Sequence, residues 1–150
     1  MKTANWLTLT LVFMLAISAC EQDDSLSDIT SDILVEIDES GTEAGILATT
    51  DELFPCKDSE IRYTIFISDT EQKGDYASNH LVISFEKIFQ PEICDRSAGP
   101  ASTLIDISTL DPVKHELTFK LNGKRTNATL DLSGSPLLEV ETGKNVRLKE

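Results

Sequence analysis

From Ile61 onward the chain alternates apolar and polar positions with a period of two. Ile61, Tyr63, Ile65 and Ile67 share one face, and Arg62, Thr64, Phe66 and Ser68 share the other. That is the spacing of a β-strand, whose successive side chains point to opposite sides. Leu81, Ile83 and Phe85 alternate in the same way with Val82, Ser84 and Glu86. Thr103 to Ile107 predicts a short strand, and Leu117, Phe119 and Leu121 another. Asn122-Gly123 follows, the pair that best tolerates the positive φ angles of a two-residue hairpin turn. Thr126, Ala128, Leu130 and Leu132 return from it. Ser133-Gly134-Ser135-Pro136 turns the chain again, Leu138 and Val140 precede a turn at Thr142-Gly143-Lys144-Asn145, and Val146 and Leu148 end it. The inward set predicted to pack is Ile65, Ile83, Phe85, Leu117, Phe119 and Leu130.

Between the strands the pattern weakens. Ser40 to Phe54, with Gly41 and Gly45, reads as mostly loop. Asp69 to Asn79 reads as a long polar connection, and Gln90 to Ala101, with Pro91, Gly99 and Pro100, as an irregular loop. Leu26, Ile29, Ile33 and Ile37 fall on a helical stripe, yet Ile33-Leu34-Val35-Glu36-Ile37 also reads as a β-branched strand. Asp38 and Glu39 would sit badly at the negative C-terminal end of a helix, which tilts the reading toward a first strand. The sum is seven or eight short strands with no interior helix and no internal repeat. An all-β, antiparallel β-sandwich is predicted, with a small barrel as the other option.

Leu110 to Phe119 resembles the Leu-x-x-Gly-x-Tyr-x-Leu-x-Phe run that opens a late strand in many immunoglobulin-like domains, with Val113 in the glycine's place and His115 in the tyrosine's. The resemblance implies an immunoglobulin-like sandwich. In that family the tyrosine hydroxyl bonds back to the preceding turn.

The first twenty residues follow another rule. Lys2 is followed by an apolar run from Trp6 to Ile17 and then by small residues, the arrangement of a secretory signal peptide. A membrane span needs about 20 apolar residues, more than this run supplies. Ile17-Ser18-Ala19-Cys20 resembles the lipobox of bacterial lipoproteins. The resemblance implies cleavage before Cys20, lipid on Cys20, and attachment to the outer membrane on its periplasmic or cell-surface side. Gln22-Asp23-Asp24 directly after it resembles the export signal of surface lipoproteins in the Bacteroidetes group. Residues 1–19 are therefore read as signal peptide, 20–32 as an acidic tether, extended from Glu21 to about Thr30 by repulsion between like charges, and 33–150 as one β domain.

Charge is unevenly spread. Without residues 1–19 the chain has 12 basic against 26 acidic side chains, a balance of −14. Residues 21–60 hold 13 acidic and one basic, whereas residues 61–150 hold 13 acidic and 11 basic. The acidity belongs to the N-terminal approach, and the later part is near neutral. Nucleic acid, which needs a basic surface, is excluded as a partner.

Of the three cysteines, Cys20 is assigned to lipid. Cys56 and Cys94 remain in an exported chain, where disulfides persist, and are expected to pair. Two cysteines and two scattered histidines offer no metal cluster, so no metal and no cofactor are expected.

The catalytic motifs fail in turn. His115-Glu116 opens like a zinc-protease motif, but Phe119 stands where the second histidine belongs. Ser84-Phe85-Glu86-Lys87 spells Ser-x-x-Lys, but on a strand residues three apart face opposite sides. Asp69 with Glu71, or Asp106 with Asp111, could offer calcium oxygens without the dense alternation of a dedicated loop. His80 and His115 read as surface or packing residues. The expectation is a non-enzymatic binding or accessory module of the cell envelope, held by lipid on Cys20 and meeting a protein or glycan partner. The loops Asp69–Asn79 and Cys94–Ala101 are its candidate contact points. The alternative is a lipoprotein inhibitor of a lytic enzyme, a lysozyme or a protease, against which the near-neutral stretch 61–150 weighs because steering toward a basic enzyme favours an acidic face.

Overall fold

The computed structural model describes residues 26–150 apart from 42, 43, 93, 95 and 96, and the signal segment, Cys20 and the acidic residues after it lie outside that range. The described residues form ten strands and no helix: β1 Leu26–Ser27, β2 Ile33–Asp38, β3 Gly45–Phe54, β4 Glu60–Lys73, β5 Tyr76–Phe89, β6 Gly99–Asp106, β7 Lys114–Leu121, β8 Lys124–Asp131, β9 Leu137–Val140 and β10 Val146–Leu148. The all-β expectation holds.

The strands make one mixed sheet in the order β10-β2-β3-β6-β4-β5-β7-β8-β9, with β1 on the end of β5. The sheet curls until it is nearly barrel-shaped. Near its two ends the Asn145 side chain donates to the Leu121 carbonyl at 3.2 Å, tying the approach to β10 back to β7. The purely antiparallel expectation is corrected: β10 with β2, β4 with β6 and β5 with β7 are parallel. An immunoglobulin-like strand order is not confirmed. Alternation and hairpin turns report only which residues share a face and where the chain reverses. They carry no signal for β6 inserting between β3 and β4, or β7 crossing to the far side of β5.

Three other expectations change. Ser40 to Phe54 is not mostly loop, because β3 takes ten residues of it and lies between β2 and β6. The connection Asp69–Asn79 is almost entirely strand: β4 and β5, each 14 residues long, meet at the two-residue turn Gly74-Asp75. The part of the presumed tether from Leu26 onward belongs to the fold. Leu26 and Ser27 pair with Phe89 and Ile88, and Ile29 is only 2% exposed. An aliphatic side chain in a polar leader gains more by entering a core than its ordering costs.

The core is continuous. Ile33, Val35, Ile46, Ile83, Phe85, Ile88, Ile105, Leu117, Phe119, Leu121, Leu130 and Val146 are all buried. Phe85 and Phe119 stack with ring centroids 5.9 Å apart. Of the six residues predicted to pack, five are buried and Ile65 is not.

Pairing fixes direction. β1 and the even-numbered strands run one way, and the remaining odd-numbered strands run the other. One end of the sheet therefore gathers Leu26, the turn Asn122-Gly123 and the cystine of Cys56 and Cys94, whose sulfur atoms are at bonding distance. There Gly99 passes so close to Lys57 that a Cβ on it would collide. The other end gathers the Gly74-Asp75 turn and the ends of β2, β6 and β8. Those three strands stop alike, at Asp38, Asp106 and Asp131, each with serine two residues on. The carboxylate accepts the serine N–H at 2.8, 2.8 and 2.9 Å, a side-chain turn that releases the chain from the sheet.

Candidate functional site

The long hairpin of β4 and β5 reaches farther than the strands beside it. β5 pairs with β7 only from His80 to Phe85. Beyond that, side chains take over from the strand bonds. The Ala77 N–H donates to Asp111 Oδ2 at 2.7 Å, the Ser78 hydroxyl to the Lys114 carbonyl at 2.8 Å, and the Asn79 N–H to His115 Nδ1 at 3.0 Å. Because Nδ1 accepts, the proton of the neutral ring lies on Nε2, which donates to the Asp111 carbonyl at 2.8 Å. His115 is fully buried, and both of its nitrogens are occupied. It pins the hairpin and is not placed to act as a base.

The other edge of the hairpin is open. β4 meets β6 at one pair only, Glu60 with Ser102, while β6 stays with β3 as far as Asp106. From Ile61 onward no described strand pairs with the outer edge of β4. Ile65, Ile67 and Tyr63 lie on the core side, opposite Ile83, Leu81 and Phe85 of β5. With β6 turned away, no described strand covers the outer side of Ile65 and Ile67, which are 39% and 45% exposed, and Phe66 on the opposite side is 67% exposed. The stretch from Tyr63 to Ser68 contains no charge and no proline. Natural sheets blunt free edges with charges, prolines or short strands, and here none of these is used. At the base of the hairpin the Arg62 guanidinium sits 4.9 Å from the centroid of the Phe89 ring.

A second feature lies beside the hairpin on the outer face of β5, β7 and β8. A shallow hollow of about 370 Å³ is lined by His80, Glu116, Thr118, Asn127 and Thr129 among others. His80 and Glu116 are paired across β5 and β7, and His80 Nε2 is 3.0 Å from Thr118 Oγ1. A histidine beside a hydroxyl and a carboxylate is what acyl transfer would need. The setting does not supply the rest. Glu116 and Thr118 sit on β7 with β5 paired on one side and β8 on the other, and the Asn127 N–H goes to Glu141 Oε2 at 3.5 Å, unlike the free N–H pair of an oxyanion hole.

The other sequence candidates separate. Asp106 bonds Ser108 and Asp111 bonds Ala77, so the two carboxylates do not converge. Ser84 and Lys87 are on strand β5, where Lys87 pairs with Asp28. The carboxylate of Asp58 lies within 4.8 Å of both Cys56 and Cys94 sulfurs, but sulfurs bonded to each other offer no thiolate to a metal. Of the two expected contact loops, Asp69–Asn79 is the tip of the hairpin, and part of Cys94–Ala101 is the start of β6. The open β4 edge was not anticipated. Its sequence signal was the Gly74-Asp75 pair standing between two alternating runs, a hairpin turn in itself.

Neither a protein family, a curated protein nor a solved structure matches the chain.

Proposed function

We propose that the chain is a lipoprotein of the cell envelope, anchored to the outer membrane through Cys20, that acts as a non-enzymatic binding module and docks its partner along the outer edge of β4. The observation that carries this reading is the unpaired run Tyr63–Ser68, flanked on its two faces by exposed Ile65, Ile67 and Phe66. A strand added to such an edge gains backbone hydrogen bonds for affinity, and alternate side chains give selectivity. The bonds of Ala77, Ser78 and Asn79 to the Asp111 carboxylate, the Lys114 carbonyl and the His115 ring hold the hairpin in place, so less freedom is lost when a partner docks. The immunoglobulin-like likeness enters through its corner alone, His115 bonding Asp111 as the tyrosine would.

Photo-crosslinking on intact cells tests the reading. A photoreactive side chain at Phe66 of the membrane-bound protein should give one discrete adduct. The same group at Leu137, 55% exposed on β9, should give none. Equal or diffuse labelling at both positions would remove the docking site.

A further inference from the structure

We infer that the partner on the β4 edge is a second copy of this chain, paired antiparallel about a two-fold axis through Phe66. The inference rests on the docking reading above and names its occupant.

The first observation is in the sequence of the edge. Residues 64–68 read Thr-Ile-Phe-Ile-Ser, nearly the same in both directions about Phe66. A two-fold interface uses one patch on both subunits, so the patch must complement itself. In an antiparallel pair centred on Phe66, each Ile65 faces Ile67 of the other copy, Phe66 faces Phe66, and Thr64 faces Ser68. Directly opposed apolar side chains are the pairs that stabilise a sheet. No charged residue lies between Tyr63 and Ser68, so no like charges meet at the centre of the pair.

The second observation is in the backbone. The pairing of β4 with β5 is irregular at two places: Glu86 is an extra residue of β5 opposite Arg62 and Tyr63, and Thr70 is an extra residue of β4 between Asp69 and Glu71. The regular run between them is Tyr63–Asp69, and its midpoint is Phe66. A bulge disturbs the ladder and bends the strand that carries it. The longest regularly paired segment of β4 is thus the same segment whose sequence is self-complementary.

A two-fold axis normal to the sheet keeps each side chain on its own face. Ile65 and Ile67 of both copies then form one apolar cluster that continues the core side of β4 past its present edge. The two exposed Phe66 side chains meet on the opposite face. The pair sends the two N-terminal ends in opposite directions, so with both copies anchored in one bilayer the strands of the pair run along the membrane.

Cysteine pairing in the full, membrane-bound chain tests the register. Residues directly opposite in an antiparallel pair have Cα atoms about 4.5–5.5 Å apart, within disulfide reach. Phe66→Cys alone should give a covalent dimer on mild oxidation. Thr64→Cys alone and Ser68→Cys alone should not, whereas the two variants co-expressed should. Phe66 is exposed, so its replacement leaves the core untouched. Dimer yield at Phe66→Cys no greater than at Leu137→Cys would overturn the inference. The photoreactive group at Phe66 separates the two readings: an adduct of twice the chain's mass supports both, an adduct with a different protein discards self-pairing and keeps the docking edge, and no adduct discards both.

Discussion

Asn122 donates its side-chain amide to the carbonyl of Ile29 at 2.7 Å, joining residues 93 positions apart in sequence. Asn122 has a φ of 51° and Gly123 one of 75°, the left-handed pair that a tight β7–β8 hairpin requires. One residue therefore makes the turn and holds the N-terminal segment against the sheet. Ile29 itself is 2% exposed and fills the end of the core where β2 begins. Ile29→Ala should destabilise the domain by about 2–5 kcal/mol. Asn122→Gly keeps the turn and loses the amide, so it should lose about 1–3 kcal/mol for the unpaired carbonyl. Urea unfolding of both variants decides it. A loss under about 1 kcal/mol for Ile29→Ala would return residues 26–32 to the tether.

Two core-facing positions, Phe119 on β7 and Ile65 at the open edge of β4, predict opposite outcomes. Phe119 is fully buried and stacked on Phe85, and Phe119→Ala should cost about 3–5 kcal/mol. Ile65 shares the same inward parity in sequence yet stands at the open edge, 39% exposed. Ile65→Ala in the isolated domain should cost well under about 2 kcal/mol, below the range for a buried isoleucine. Equal losses would mean that the β4 edge is covered.

Acid stability should follow the three aspartate turns. The hydroxyls of Ser40, Ser108 and Ser133, and next their N–H groups, hold Asp38, Asp106 and Asp131 below the ordinary carboxylate value of 3.8. For Asp131 the charge of Lys114 adds a smaller push the same way. A carboxylate whose pKa is lower folded than unfolded contributes stability above the unfolded value and loses it as pH falls through the folded one. Melting temperature should therefore drop on the acid side of about pH 4. Changing Ser40, Ser108 and Ser133 together to alanine should flatten that drop while lowering stability at neutral pH. An acid limb as steep as in the parent would place the titrating groups elsewhere.

The fold was legible where its cause was local. Alternation located β5, β7 and β8, and Asn122-Gly123 located their hairpin, because face and turn are decided by a few adjacent residues. The neighbours of each strand were not legible. Ile65 obeys the same period as Ile83, and what exposes it is the departure of β6 at Ser102, a long-range event. β3 escaped because its run Gly45–Phe54 mixes Thr49, Asp51 and Glu52 with its apolar residues. The site was half legible: the Gly74-Asp75 turn was in plain view, but an edge is defined by the strand that fails to arrive. The disulfide followed from counting cysteines in a chain whose start reads as a signal peptide.

That pairing gives its own test. A Cys20→Ser variant, denatured without reductant, should present no labelled thiol. Reduction should cost roughly 4 kcal/mol, the entropy of releasing a loop of this length, for a separation of 38 residues. Two reactive thiols in the oxidised protein would remove the bond.

If Cys20 carries the lipid, anchor and fold should be separable, because Cys20 precedes Leu26, the first residue of β1. Each buried methylene of a lipid chain contributes about 0.8 kcal/mol, so one acyl chain holds only marginally and two or three hold firmly. Cys20→Ser should therefore release the protein from the membrane fraction and leave the unfolding curve of the domain unchanged, because the cystine is made by Cys56 and Cys94. Replacing Asp23 and Asp24 by alanine should keep the protein on the membrane. If those acidic residues direct surface export, the same change should move it from the outer to the periplasmic face, which protease shaving of intact cells reads directly. Parent protein that resists shaving while fully membrane-bound would keep the anchor and discard surface export. Parent protein recovered soluble would discard the lipid on Cys20. It would leave the β4 edge and its pairing about Phe66 to be judged on their own measurements.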